Sequence, residues 1–200
     1  MTRTFNANEL VIASHNRGKL AEFQKMFDGK DFTITCAADH GLDSPPETGD
    51  TFVANATTKA VYTAQKTGKP ALADDSGMCV NALDGAPGVY SADWAELEDG
   101  TRDFKMAMKK VKDAMGDEQD NGAAFVSCLV LAWPDGHVES VEGRMDGSII
   151  WPPRGDFGHG YDPIFKPEGF DITYAEMPDD QKNSLSHRAI AFRMMMEKCF

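Results

Sequence analysis

The longest apolar run in the chain, Ala123 to Trp133, ends at Pro134-Asp-Gly136. A run of this length bounded by turn residues is a buried strand. The turn folds the chain back into His137–Gly147, so the spacing predicts a β-hairpin. Shorter apolar runs, Leu10-Val-Ile-Ala-Ser14 and Phe32-Thr-Ile-Thr-Cys36, read as further strands. With helices between them, the antiparallel hairpin makes the sheet mixed rather than purely parallel. Leu20, Phe23, Met26 and Phe27 recur at helical spacing. A second helix runs from Thr51 to Thr67 with Val53, Ala56, Ala60, Val61 and Ala64 inward, capped by Asp50 or Thr51 and stopped by Gly68. Asp103 to Met115 is amphipathic, and the last helix is capped by Ser186. Two hundred residues, 42% of them hydrophobic, suffice for one sizeable core, as one α/β domain or two lobes sharing a sheet.

The net charge of −12 argues against a chain that coats nucleic acid or anionic membrane. It leaves room for a small anionic ligand where basic residues cluster locally. No stretch approaches the roughly 18 apolar residues of a membrane span, and Met-Thr-Arg-Thr-Phe5 opens too polar a segment for a signal peptide. Cys36, Cys79, Cys128 and Cys199 show no C-x-x-C spacing and read as buried free thiols. A cytoplasmic protein is expected.

Within Pro70–Leu83 an apolar run is interrupted by Asp74 and Asp75, then broken by Ser76-Gly77. Adjacent side chains on an extended chain leave opposite faces, so one of the two carboxylates aims into a given site. A solvated Asp-Ser-Gly turn is the plain alternative. Ser14-His-Asn-Arg-Gly-Lys19 joins a strand to a helix, an arrangement that offers backbone N–H groups to a phosphate, and Arg17 and Lys19 add charge. It is not a Walker A loop, which needs two spaced glycines before its Lys-Ser/Thr. Glu47 lies in a Pro-, Asp- and Gly-rich loop, and Lys59 in a helix where a solvated lysine is the default. Trp151–Pro163 is rich in Pro, Gly and aromatics, either a ligand platform or an ordered turn. His187 and Arg188 would occupy the first turn of the last helix, where the dipole disfavours cations unless an anion is near.

Across nearly its whole length the chain resembles the Ham1/RdgB-type inosine/xanthosine triphosphate pyrophosphatases. The likeness rests on Ser14–Lys19, Glu47-Thr-Gly-Asp-Thr-Phe52, Asn55-Ala56 with Lys59-Ala60, Asp74-Asp-Ser-Gly77, Gly85-Ala-Pro-Gly88, Gly160-Tyr-Asp-Pro-Ile-Phe165 and Lys182 with Ser186-His-Arg188. The resemblance implies one domain over residues 1–200. Its fold would be an elongated mixed sheet flanked by helices, in two lobes with a central cleft. It implies hydrolysis of nucleoside triphosphates to monophosphate and pyrophosphate, with Ser14, His15, Asn16, Arg17, Gly18, Lys19 and Lys59 on the triphosphate. Glu47 and Asp75 would bind Mg²⁺, with Asp75 as proton acceptor and Ser76 touching substrate. His159, Gly160, Tyr161, Asp162, Lys182, His187 and Arg188 would hold base and sugar. A homodimer is implied, with neither nucleic acid nor membrane as partner.

The chain departs from the family pattern twice. His159 stands where a base-stacking Phe is usual, with Phe157 two residues earlier, and Ala54 stands where a Glu is usual. The stacking residue is therefore His159, Phe157 or Tyr161. A Maf-type pyrophosphatase is the enzyme alternative, opposed by the G-Y-D and S-H-R motifs. A non-catalytic nucleotide sensor is opposed by Glu47 and Asp75.

Overall fold

The computed structural model describes residues 2–200. A six-stranded sheet runs in the order β2-β1-β3-β4-β5-β6. β1 (Glu9–Ile12) lies parallel to β2 (Thr33–Cys36) and to β3 (Ala71–Val80), and β5 (Val138–Ile149) lies antiparallel to β6 (Phe165–Pro167). The sheet is mixed, as the hairpin requires. β4 (Gly122–Ala132) and β5 are neighbours joined by a tight turn, in which the N–H of Gly136 donates to the carbonyl of Trp133 at 2.9 Å. The helices are α1 (Arg17–Met26), α2 (Phe52–Thr67), α3 (Phe104–Met115), α4 (Asp179–Leu185) and α5 (His187–Cys199).

Local chemistry sets these boundaries. Thr51 caps α2 through its hydroxyl and Gly68 closes it in the left-handed conformation at φ +68°. Asp103 caps α3 through Lys105 and Met106 N–H. Ser186 Oγ accepts from the N–H of Ala189 at 3.2 Å, as expected for the start of the last helix. Two expectations need correction. Ser76-Gly77 does not break the central run, because β3 continues through both residues to Val80. On α2, Val53 is exposed and the buried polar positions are Asn55 and Thr63. The three-residue β6, which ends in a proline, was too short to show a period.

Contacts gather the chain into two compact units. The first holds residues up to Asp75, Cys128–Glu142 and Ala191–Phe200. Its core joins Leu10, Ile12, Phe23, Leu72, Leu129 and Met195, and a second cluster sets Ala56, Ala60 and Ala64 of α2 against Val11, Ala73 and Val130. The second unit holds Ser76–Ser127 and Gly143–Ile190, around Met78, Val111, Phe125, Ile164, Phe165 and Tyr174. All four cysteines are free thiols, and burial pushes the Cys128 thiol up to about 12.

Candidate active site

In the first unit, β3 carries Asp74 and Asp75 as neighbours, and their side chains part as the strand's alternation demands. Asp75 meets Lys59 from α2. The ammonium donates to Asp75 Oδ1 at 2.8 Å and to Glu47 Oε2 at 2.6 Å. Lys59 and Asp75 side chains are only 12% and 13% exposed, and Asp75 Oδ2 is buried without a hydrogen-bond partner. Burial pushes the Asp75 carboxyl up. Lys59 pulls it back and the Glu47 charge adds to the rise, leaving it at about 6. Burial by itself would lower the Lys59 pKa, but the two carboxylates outweigh it and the net shift is upward. A lysine on a helix is solvated by default; the two acids explain why this one is not.

Glu47 is brought to Lys59 by a loop that α2 anchors. The N–H of Gly49 donates to the buried side-chain oxygen of Asn55 at 2.8 Å. A Cβ at Gly49 would fall 2.8 Å from that same oxygen, so the turn has no room for a larger residue. Asn55 is thus a positioning residue that the sequence offered only as part of a motif, because its burial could not be read from spacing.

Asp74 points to Lys19, whose ammonium lies 2.9 Å from Asp74 Oδ2, and the Asp74 side chain is 1% exposed. The expected open donors after β1 are already in use. Asn16 Oδ1 accepts from the N–H of Gly18 at 2.8 Å and of Lys19 at 3.4 Å, while Ser14 Oγ accepts from Asn16 N–H at 3.1 Å. Arg17 pairs with Asp39 at 2.8 Å. Hydrogen bonds from the Cys36 N–H and thiol, together with Arg17, hold Asp39 down at about 2. His15 Nε2 donates to the Leu42 carbonyl at 2.5 Å, and its Nδ1 lies in hydrogen-bond contact with Ser44 Oγ at 2.8 Å. The loop is a strand-to-helix element as predicted, with its side chains committed to shaping it.

In the second unit, Asp162 is buried and accepts the His159 N–H at 2.9 Å while pairing with Lys182 of α4. Gly158, at φ +72°, passes so close that a Cβ would lie 2.1 Å from Asp162 Oδ2. His159 and Phe157 are exposed. Tyr161 is not: its ring is 2% exposed, edge-on to Phe104, and its hydroxyl donates to the Ser91 carbonyl at 2.8 Å. This corrects Tyr161 as a stacking residue, since its face is spent in the core and only its backbone is available. His187 is buried and stacked on Phe125 with ring centroids 4.9 Å apart, and Arg188 Nη2 reaches Ser76 Oγ at 3.5 Å. Both occupy the first turn of α5, as expected. The structure therefore joins Glu47, Lys59 and Asp75, joins Lys19 to Asp74, and joins His159 to Asp162 and Lys182.

A mixed-sheet α/β chain with lysine–carboxylate clusters at a strand centre and at a glycine-rich loop defines the class. The chain belongs to the Ham1 family, whose model matches residues 10–198. It is 50% identical to a dITP/XTP pyrophosphatase of Agrobacterium fabrum over 98% of both chains. It is 50% identical to one of Ruegeria pomeroyi over 100% of this chain and 99% of that one. Among solved structures it is similar to a HAM1 protein from Coxiella burnetii, with a TM-score of 0.88 and 36% identity over 96% of this chain and 98% of that one.

Proposed function

We propose that this protein hydrolyses inosine and xanthosine triphosphates, ribo or deoxy, to the monophosphate and pyrophosphate, clearing non-standard purines from the nucleotide pool. The names of the relatives support this reading, and one structural observation carries it further. Two carboxylates, Glu47 and Asp75, share a single ammonium, and one buried carboxylate oxygen has no donor. Such a site is short of positive charge.

The residues fit Mg²⁺. It takes oxygen ligands, and is usually held by one or two carboxylates with substrate phosphates and water completing the shell. Glu47 and Asp75 would hold it, and when bound it would neutralise phosphate charge and acidify a bound water.

The chain's own residues do the rest. Lys59 and the Ser14–Lys19 element, with His15, Asn16, Arg17 and Gly18, would bind the triphosphate against the net charge of −12. Asp75 would accept the proton of the water that attacks as the bond between the first and second phosphates breaks. Ser76, His159, Gly160, the Tyr161 backbone, Asp162, Lys182, His187 and Arg188 would hold sugar and base. Donors facing position 6 would select a 6-oxo purine, since a 6-amino group leaves them unpaired.

A cytoplasmic homodimer without nucleic-acid partners belongs to the same proposal. Among the described residues no helix is long and apolar enough to cross a membrane. Trp151, 45% exposed, offers apolar surface for a partner copy. Trp94 does not, since it packs on the core beneath Lys110. Light scattering should give about twice 21.9 kDa, and a monomer at micromolar concentration would remove the dimer. The activity is tested by pyrophosphate release from a panel of purine triphosphates with Mg²⁺. Inosine and xanthosine triphosphates should be turned over far faster than adenosine triphosphate; release of orthophosphate, or no preference among purines, refutes the assignment.

A further inference from the structure

We propose that Lys59 is a resident stand-in for the divalent cation, holding Glu47 and Asp75 together until metal and triphosphate arrive and then transferring its ammonium to the phosphates. The metal's identity here rests on the proposed function; the competition itself does not. The two carboxylates that would hold the metal are the two that Lys59 grips, at 2.6 and 2.8 Å. Each acid arrives on its own element: Glu47 on a loop pinned by Asn55, and Asp75 on β3. A divalent ion added to this cluster faces an ammonium already between its ligands.

The charge count gives the exchange its direction. Two carboxylates and one ammonium leave a net charge of −1, and Asp75 Oδ2 is buried without a partner. A divalent ion in the same place would balance both acids. The obstacle is Lys59, whose side chain is 12% exposed and would lose both partners with little water to replace them. Phosphate oxygens remove the obstacle, because they give the ammonium new partners as the metal takes the old ones. Metal and triphosphate should then each strengthen the other's binding, as linkage requires. Metal alone should bind weakly.

The test is Mn²⁺ binding to the nucleotide-free protein, followed by electron paramagnetic resonance of the free ion at fixed ionic strength. Lys59→Met should bind Mn²⁺ about tenfold more tightly than wild type, within the usual range of coupling between sites. Adding Asp75→Asn to that variant should abolish the gain. Equal or weaker Mn²⁺ binding by Lys59→Met overturns the proposal, since it would show that the ammonium does not occupy the metal's place. Lys59→Gln, which keeps hydrogen-bond donors without the charge, is the second variant if the first folds poorly. Should both fold poorly, Mn²⁺ must raise their melting temperatures more than that of wild type, and absence of that rescue also refutes the proposal. Tight metal binding by the variants with no pyrophosphate release by wild type would sink the activity and spare the stand-in; wild-type activity with unchanged metal affinity in the variants would do the reverse.

Discussion

The two compact units each hold a lysine–carboxylate cluster whose lysine is largely buried, and the two are balanced differently. Around Lys182 the charges match: Asp162 takes the ammonium and the His159 N–H, and the Tyr174 ring, whose own hydroxyl is buried without a hydrogen-bond partner, lies 5.7 Å from the ammonium. Around Lys59 they do not match, because Glu47 and Asp75 share one cation. A matched buried pair holds a loop in place, whereas an unmatched one stores unmet affinity for something else. The difference predicts that breaking the matched pair is felt first in stability and breaking the unmatched one first in chemistry.

Removing one carboxylate from each cluster should therefore give opposite signatures. Asp162→Asn strands the Lys182 ammonium and loosens the His159 loop. Breaking a buried pair in this way costs about 3–5 kcal/mol, a fall in melting temperature of roughly 6–20 °C for a chain of this size. Asp75→Asn leaves Lys59 with Glu47 as a matched pair and should hold or raise the melting temperature. Its cost is catalytic, ~10²–10³-fold in kcat, as for removal of one group that stabilises developing charge. Calorimetry and pyrophosphate release on both variants decide the matter. Similar melting losses in the two would dissolve the distinction between the clusters.

Asp74 sharpens the contrast within one strand. Its carboxylate faces Lys19 rather than Lys59, so Asp74→Asn should raise the Michaelis constant for inosine triphosphate about tenfold, through one weakened charge-assisted contact, with a smaller effect on kcat. A kcat loss equal to that of Asp75→Asn would show that both carboxylates serve the same chemistry.

Much of this was legible in the sequence because it is periodic or capped. The turn at Pro134–Gly136 fixed the hairpin, Thr51 and Gly68 fixed both ends of α2, and alternation along β3 parted Asp74 from Asp75. What was not legible depends on distant partners. Ser76-Gly77 reads locally as a turn, yet the residues stay in β3, which has neighbours on both sides in the sheet. The partners of the cations were equally hidden. Arg17 finds Asp39, Lys19 finds Asp74 and Lys59 finds two acids, across gaps in sequence that no local period spans. Tyr161 failed for the same reason, since a motif position does not say whether a ring faces a ligand or Phe104.

The smallest expected effect lies at the exposed edge of the matched cluster. With Tyr161 spent in the core, His159 and Phe157 remain of the three stacking candidates, and Phe157 is 59% exposed. The His159 N–H is fixed by Asp162 at 2.9 Å, while Phe157 N–H is fixed by the Ala175 carbonyl at 2.9 Å, so both backbones are held and only the side chains differ. His159 is the better placed of the two, because its anchor is the same carboxylate that engages Lys182, one of the residues assigned to the base and sugar. A neutral imidazole both stacks and hydrogen-bonds, whereas a phenyl ring only stacks. His159→Ala should therefore weaken binding of inosine triphosphate by roughly 1–3 kcal/mol, the worth of one base–aromatic stack, and His159→Phe should restore it. The Michaelis constants of His159→Ala, His159→Phe and Phe157→Ala separate the possibilities. A normal His159→Ala enzyme beside an impaired Phe157→Ala enzyme would transfer the stack to Phe157, and failure of His159→Phe to restore binding would show that the imidazole acts through its hydrogen bond rather than its face.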